Sequence, residues 1–321
     1  MNTKRKALSI FLPLLMILSA LLCACTSGTA ISYAPDTQDT PGESIAAFSF
    51  LYFSDTQADP EAGDYSAVGA LIADAVALGE SPALAVFGGD TVDDGGDASE
   101  WAVFWQALGA SLDGMATAAG AGNHDSHALL ASQFDYPHTA PAGQGDGFFY
   151  SFDMGGVHFL MLDSNIMGAG RQQDIDWLRE DLESSAASSA DWRIAVLHHP
   201  LWPVVANPKD EARAATMREH FLPLLEAGGV DLVLCGHQHV YTRTLAMSGD
   251  GASADGTGIV QLMAASGAKQ SYILGDTAYV AADAQAPVYL RVEADESALT
   301  VVAYDESHSP IDTYTIQKPS E

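Results

Sequence analysis

Apolar and polar positions repeat with two different periods along the chain, and the period changes from one segment to the next. Residues 46–54 (AAFSFLYFS) form a nearly continuous apolar run, which predicts a buried strand. Residues 64–79 place apolar side chains three and four positions apart, which predicts a helix with one buried face. Further strands are predicted for 83–89 (ALAVFGG), 193–197 (RIAVL) and 230–235 (VDLVLC), and further helices for 98–109 and 208–226.

The remaining pattern is richer in strands. Residues 148–164 (FFYSFDMGGVHFLMLDS) predict two strands joined at Gly155 and Gly156, followed by a helix with Ile175, Leu178 and Leu182 on its inner face. The C-terminal segments GIVQLMAAS, PVYLRVEA and ALTVVAY predict strands alone. This alternation is typical of an α/β fold, in which strand ends usually carry the chemistry. Since 48% of the 321 residues are hydrophobic, one domain over residues 45–317 is predicted.

Polar motifs follow the predicted strands in a fixed order. Taken singly, each has an ordinary explanation as an acidic turn, a helix cap or a strand stopped by proline. Their ordered appearance at successive strand ends instead indicates a shared site, because histidine and carboxylate side chains there can bind metal. The motifs are SDTQ (Asp55, Gln57), GGDTVD (Asp90, Asp93), GNHD (Asn123, His124, Asp125), HHP (His198, His199) and GHQH (His237, His239).

This set of motifs resembles the calcineurin-like metallophosphoesterase superfamily over residues 45 to about 305. The segments GGDTVDDG, AVLHHPLW and GHQHVYTRT are most similar to its purple acid phosphatase-like branch. The resemblance implies a four-layer α/β/β/α sandwich with two divalent or trivalent metal ions (Fe, Mn or Zn) at the strand ends. It also implies hydrolysis of small phosphomonoesters or diesters by attack of a metal-bound hydroxide.

The same resemblance implies a role for each motif residue. Asp90 is the carboxylate that bridges the two metals, and His124 stands outside the ligand set, near the leaving-group oxygen. The other ligands divide between the two ions: Asp55 and His239 for the first, and Asn123, His198 and His237 for the second.

Two positions depart from the family pattern. Gln57 stands where many members have histidine, and a neutral amide oxygen is a weaker ligand, so Gln57 binds the first metal poorly or not at all. Asp93 stands where the coloured members have tyrosine, so no iron-to-phenolate absorption band is expected.

Other polar residues have two interpretations. His199 either lines the substrate pocket or only precedes Pro200. Arg243 either orients the substrate phosphate or forms an ion pair that stabilises the fold. His158 and Asp163 are interpreted as structural residues.

The N-terminus reads as an export signal. Lys4, Arg5 and Lys6 precede an apolar stretch of about 16 residues, shorter than the roughly 20 that a spanning helix needs. Its end, LLCAC, resembles the lipobox of bacterial lipoproteins, so residues 1–24 would be removed and Cys25 lipidated. A plain secretory signal or an uncleaved anchor is the alternative. Residues 25–44 are then a flexible tether to the extracytoplasmic face of the cell membrane.

The charge balance limits the partners. With a formal net charge of −29, the surface repels polyanions, so nucleic-acid binding is not expected. A phosphate substrate is still compatible, because a metal centre inverts the local potential. A nucleotidase, a cyclic-nucleotide phosphodiesterase, and a non-catalytic binding lipoprotein that keeps the fold are alternative functions. The retained ligand set argues against the last, and substrate choice is expected to lie in loops 132–147 and 266–286.

Overall fold

The computed structural model describes residues 48–58, 63–136, 148–267, 269, 272–275 and 277–318. The predicted signal peptide, the tether and Cys25 lie outside the described residues, as does most of loop 132–147. Within the described ranges, none of the helices has the length and apolar character that crossing a membrane requires.

Strands and helices alternate through the first part of the described chain and give way to strands toward its end. The strands are β1 (Phe48–Phe53), β2 (Leu84–Phe87), β3 (Ala116–Ala119), β4 (Tyr150–Met154), β5 (Val157–Leu162), β6 (Trp192–Leu197), β7 (Leu232–Cys235), β8 (Val240–Thr244), β9 (Met247–Ser248), β10 (Gly251–Ala252), β11 (Val260–Met263), β12 (Val280–Gln285), β13 (Val288–Ala294), β14 (Ala298–Asp305) and β15 (Pro310–Gln317). The helices are α1 (Ser66–Ala77), α2 (Ala98–Leu108), α3 (His127–Gln133), α4 (Ser164–Met167), α5 (Gln172–Leu182), α6 (Ser185–Ser189), α7 (Pro208–His220) and α8 (Leu222–Ala227).

The strands form two large sheets and one small ribbon. The first sheet has the order β15-β14-β13-β1-β2-β3, the second has the order β12-β8-β11-β7-β6-β5-β4, and β9 pairs with β10. Strands β1, β2 and β3 run parallel, as do β5, β6, β7 and β11. Parallel strands deliver their carboxyl ends to one edge of a sheet, so the polar motifs that follow β1, β2, β3, β6 and β7 gather there.

The sheets pack face to face, and helices cover their outer faces. Between the sheets, the rings of Phe50 on β1 and Phe159 on β5 lie 5.1 Å apart and are fully buried. Burying one such side chain contributes about 1.5–3 kcal/mol. Outside the first sheet, Phe104 of α2 contacts Phe87, and outside the second sheet Leu178 and the other apolar residues of α5, α7 and α8 form a separate core cluster. The predicted four-layer α/β/β/α arrangement is therefore confirmed.

The structure differs from the predicted elements in one split helix and in several short elements that the pattern does not predict, among them α3, α4, α6, β9 and β10. The helix predicted over 208–226 is two helices, because α7 ends at His220 and α8 begins at Leu222. Pro223 lies in the first turn of α8, where its missing N–H costs nothing, but it cannot continue α7. Four strands that the pattern does not predict, β3, β8, β12 and β15, complete the two sheets.

Candidate metal centre

The loops that follow strands of both sheets meet at one edge through backbone hydrogen bonds. Within the first sheet Asp55 N–H donates to the Gly89 carbonyl (3.0 Å), and within the second Gly236 N–H donates to the His198 carbonyl (3.0 Å). Between the two sheets, Ser266 N–H donates to the Ser54 carbonyl (2.8 Å). Four motif residues at this edge have left-handed backbone, with φ between 48° and 72°: Asp55, Asp90, His237 and His239. For residues other than glycine, adopting this conformation costs about 1–3 kcal/mol each, and such strain clusters at functional sites.

Motif glycines let these loops approach each other closely. A Cβ at position 236 would overlap Ser54 Oγ and Asp55 Oδ2, and a Cβ at position 122 would overlap the backbone and carboxylate of Asp90. Any larger residue would push one loop away from the carboxylate of the other. The glycines of GHQH and GNHD are therefore required by the packing of the site.

Asp90, His198 and His237 form the heart of the site. Each offers one ligand atom, and these atoms all lie within 4.8 Å of one another. His198 Nε2 lies 3.1 Å from Asp90 Oδ2. These residues come from loops that follow β2, β6 and β7, so both sheets contribute to the cluster.

Each of the two imidazoles has one hydrogen-bonded nitrogen and one nitrogen without a hydrogen bond. His198 Nδ1–H donates to the Gly88 carbonyl (3.1 Å), and His237 Nε2 pairs with Asp210 Oδ1 (3.1 Å). The other nitrogens, His198 Nε2 and His237 Nδ1, are buried without a hydrogen-bond partner among the described residues. Metal-bound histidines have this arrangement, with one nitrogen oriented by a carbonyl or carboxylate and the other on the metal. The residues present therefore fit a metal ion.

Asp55 and His239 extend the cluster on one side. His239 Nε2 lies 3.3 Å from Asp55 Oδ1, and the same oxygen lies 4.0 Å from His198 Nε2. The Asp55 carboxylate also accepts the His237 N–H (2.9 and 3.0 Å) and the Ser54 hydroxyl (2.9 Å). These donors fix the carboxylate so that Oδ1 faces both rings.

The site favours positive charge. Burial alone would lower the pKa of His198, but the carboxylates of Asp90 and Asp55 raise it to about 9. Burial would likewise raise the pKa of Asp90, yet the His198 ring and the His124 N–H hold it well below its usual range. Buried carboxylates that stay ionised in this way create a potential that attracts a cation.

Asp125 holds the loop that presents Asp90. Its carboxylate accepts the N–H groups of Asp90 (2.8 Å), Thr91 (3.3 Å) and Gly122 (2.9 Å). Burial and the nearby Asp90 charge raise the pKa of Asp125 to about 6. Within GNHD the sequence suggests only a helix cap for such a residue, so this tethering role was not predicted.

His124 and Asn123 lie at the rim of the cluster. The His124 backbone N–H donates to Asp90 Oδ1 (2.8 Å), and its ring Nδ1 lies 2.5 Å from the Asp93 carbonyl. The His124 side chain is 31% exposed, so part of its ring is accessible to solvent. Asn123 is exposed in the same loop.

Gln57 and Asp93, the two departures from the family pattern, lie together. Gln57 is fully buried, and its Oε1 accepts a hydrogen bond from Lys269 Nζ (3.0 Å). The same ammonium lies 3.6 Å from Asp93 Oδ1. Sequence reasoning missed Lys269, which belongs to no motif.

The two proposed substrate-binding residues have different surroundings. His199 is buried beside the centre, with its ring 4.2 Å from that of His237 and its Nδ1 2.9 Å from Ser164 Oγ. Burial, then the neighbouring His198 and His237, lowers the pKa of His199, so its ring is neutral. Arg243 instead pairs with Asp312 (2.7 Å) and covers the Tyr314 ring, which favours the ion-pair interpretation of this residue.

Comparison with known families gives a match over most of the described chain. Residues 48–241 match the family described as calcineurin-like phosphoesterase. This range contains all five polar motifs.

Individual relatives share shorter segments. Purple acid phosphatase 15 of Arabidopsis thaliana is 32% identical over 114 residues, which cover 36% of this chain and 21% of that protein. A protein named probable inactive purple acid phosphatase 9, also from Arabidopsis thaliana, is 34% identical over 107 residues, or 33% of this chain and 16% of that protein. The chain thus spans about a fifth of the length of these curated relatives. The purple acid phosphatase of yellow lupin (Lupinus luteus) seeds has the same fold, with a TM-score of 0.68 at 18% identity, over 87% of this chain and 55% of that one.

Proposed function

Since this chain belongs to the calcineurin-like phosphoesterase family, we propose that it is a metal-dependent hydrolase of small phosphoric esters. The observation that supports this most strongly is that two buried nitrogens next to the Asp90 carboxylate, His198 Nε2 and His237 Nδ1, have no hydrogen bond among the described residues. Because a purely structural cluster would satisfy these nitrogens internally, the geometry favours a catalytic centre over a binding protein that only keeps the fold.

Two metal positions share Asp90 in this proposal. Asp55 and His239 would hold one metal ion, and His198, His237 and Asn123 the other. When bound, two such metal ions would activate a water molecule and neutralise charge on the phosphate. The hydrogen bonds from the Ser54 hydroxyl to Asp55 and from His237 Nε2 to Asp210 would orient the ligands for this purpose.

His124 would act on the leaving group. Its Nδ1–H donates to the Asp93 carbonyl, which fixes the ring so that Nε2 points away from the Asp93 loop. A protonated His124 can donate the Nε2 proton to the departing ester oxygen. His199, buried and neutral beside His237, would line the phosphate pocket and not transfer protons.

Hydrolysis by the full chain tests the proposal. After removal of metal and reconstitution with Fe, Mn or Zn, 4-nitrophenyl phosphate and bis(4-nitrophenyl) phosphate should be cleaved, and the ratio of the two rates separates monoesterase from diesterase. Nucleoside monophosphates and cyclic nucleotides test the nucleotidase and phosphodiesterase alternatives. A protein that binds two metals and cleaves none of these esters would contradict the proposal.

Anchoring of the protein at the cell surface is a further part of this proposal. Its support is the LLCAC sequence, which ends at Cys25. The full chain should partition with membranes, and Cys25→Ser should abolish lipid attachment. Equal processing and membrane retention of that variant would refute lipidation at Cys25.

A further inference from the structure

Lys269 reaches the metal centre from a distant part of the sequence. Its ammonium donates to Gln57 Oε1 (3.0 Å) across 212 sequence positions and lies 3.6 Å from Asp93 Oδ1. Gln57 and Asp93 are the two positions at which the chain departs from the family's metal-binding pattern. Both departures therefore converge on one lysine.

Described residues on either side of Lys269 pack on the Asp55 and His239 side of the centre. Ser266 N–H donates to the Ser54 carbonyl (2.8 Å), directly before Asp55. A Cβ at position 267 would overlap the Asp55 carbonyl oxygen, so glycine is what allows this approach. Further along, the Tyr272 ring lies 5.2 Å from the His239 ring. These contacts bring residues on either side of Lys269 against Asp55 and His239, and Gln57, which Lys269 contacts, lies two positions after Asp55.

Polar atoms on this side are incompletely satisfied. Gln57 Nε2 and Asp93 Oδ1 are buried without a hydrogen-bond partner among the described residues. The Gln57 oxygen, which could otherwise ligate a metal, already accepts a hydrogen bond from Lys269. The Asp93 carboxylate, which could add negative charge, faces the same ammonium. The ammonium thus hydrogen-bonds one potential ligand oxygen, lies at ion-pair distance from the other, and repels a second cation.

We propose that Lys269 withholds Gln57 and Asp93 from the metal, so that the Asp55 and His239 position binds its ion more weakly than the His198 and His237 position. The two positions then fill in sequence as the metal concentration rises. This inference rests on the proposed function for its two metal positions, and it adds the residue that makes them unequal.

Titration of the metal-free full chain with Zn²⁺ by calorimetry tests the inference. Wild type should show one strong and one weaker binding event. Lys269→Gln should strengthen the weaker event by ~10-fold or more, since it removes a positive charge and releases two oxygen donors. Lys318→Gln is the matched control, because Lys318 pairs with Asp191 (3.0 Å), which is not part of the centre. It should change neither event.

Two further variants separate charge from side-chain shape. Lys269→Arg keeps the positive charge and should keep the difference between the two Zn²⁺ affinities. Lys269→Met removes the charge and should behave like Lys269→Gln. In an Asp93→Asn background, Lys269→Gln should increase the Zn²⁺ affinity of the weaker position by a smaller factor, because the carboxylate that the substitution releases is absent. Thermal unfolding establishes that each variant is folded.

An unchanged or wider gap in both Lys269→Gln and Lys269→Met would overturn the inference. Two equal Zn²⁺ sites in wild type would also overturn it. Because the readout is metal binding, failure of the proposed function remains distinguishable: a protein with the expected affinities that cleaves no ester refutes the hydrolase proposal and leaves the role of Lys269 standing.

Discussion

His158 and His198 are buried histidines of the same sheet, and each faces two carboxylates. On β5, His158 donates from Nδ1 to Asp153 (2.8 Å) and from Nε2 to Asp181 (2.9 Å). After β6, His198 donates only from Nδ1, to a carbonyl, while Nε2 faces Asp90 and Asp55 at 3.1 and 4.0 Å. In both cases burial opposes the charged ring, but the carboxylates prevail and raise the pKa to about 9.

The two clusters differ in whether each ring nitrogen has a hydrogen-bond acceptor. Every ring nitrogen of His158 has an acceptor, so that cluster is complete as an ion triad. The His198 cluster leaves ring nitrogens and carboxylate oxygens facing one another around a common point. A perturbed pKa is therefore shared by His158 and by His198, which is proposed to bind metal, and the ring nitrogen without a hydrogen bond distinguishes His198.

Replacement of Asp90 should have the largest effect, because Asp90 is the ligand proposed to serve both metals. Asp90→Asn removes the shared charge and should lower metal content at both positions and abolish hydrolysis. Asp153→Asn, which removes a carboxylate from the His158 cluster instead, should keep metal and activity. Elemental analysis that finds two metals in folded Asp90→Asn would contradict the bridging role.

His124→Asn should lose activity in proportion to the demand for a proton. General acid catalysis contributes about 10²–10⁴-fold, so alkyl phosphates should lose about that much. Nitrophenyl phosphates should lose less, because nitrophenolate leaves without help. Measuring kcat/KM over leaving groups of graded pKa decides the point: parallel plots for wild type and variant exclude the general-acid role.

Asp210→Asn should weaken metal binding without abolishing it. Asp210 orients His237 through Nε2, and loss of such a partner typically costs about 10–100-fold in metal affinity. Asp181→Asn makes the equivalent change at His158 and should lower stability while leaving Zn²⁺ affinity unchanged. Similar Zn²⁺ affinities for wild type and Asp210→Asn would show that the contact does not orient the ligand.

The pH dependence of stability should show the smallest effect, and it concerns His158. Its folded-state pKa of about 9 exceeds the unfolded value of about 6.5, so its stabilisation is complete below pH 6.5 and is lost as pH rises through 9. Because Asp153 is 54% exposed, we expect about 1–2 kcal/mol. Urea unfolding of wild type and His158→Gln at pH 6 and pH 9.5 measures it. An equal stability difference at both pH values would exclude a charged His158.

The sequence predicts those parts of the fold that have a strong local period. Strands β1, β2, β6 and β7 are apolar runs, and each is followed by its motif. Strand β3 is Ala-Thr-Ala-Ala, which has neither the bulk nor the alternation that predicts a strand, and pairing with β2 determines its structure. The local pattern also cannot show that a new helix begins at Leu222, since the proline that follows is compatible both with the first turn of a helix and with the end of one.

For the site, the motif residues could be predicted and their supporting contacts could not. Asp55, Asp90, His198, His237 and His239 come together as the motif order suggests. Asp210 reads as an ordinary acidic residue in the first turn of α7, and Lys269 reads as a loop lysine. Their partners lie 27 and 212 positions away, and such separations leave no periodic signal.

The left-handed backbone at Asp55, Asp90, His237 and His239 has an evolutionary consequence. Glycine adopts this conformation without the Cβ clash that strains aspartate and histidine, so glycine there would relieve the backbone. Each such substitution would relieve about 1–3 kcal/mol of backbone strain but would remove a proposed metal ligand and its hydrogen bonds. A copy of this protein that is no longer selected for its chemistry would therefore tolerate glycine at these four positions, losing activity while keeping the fold.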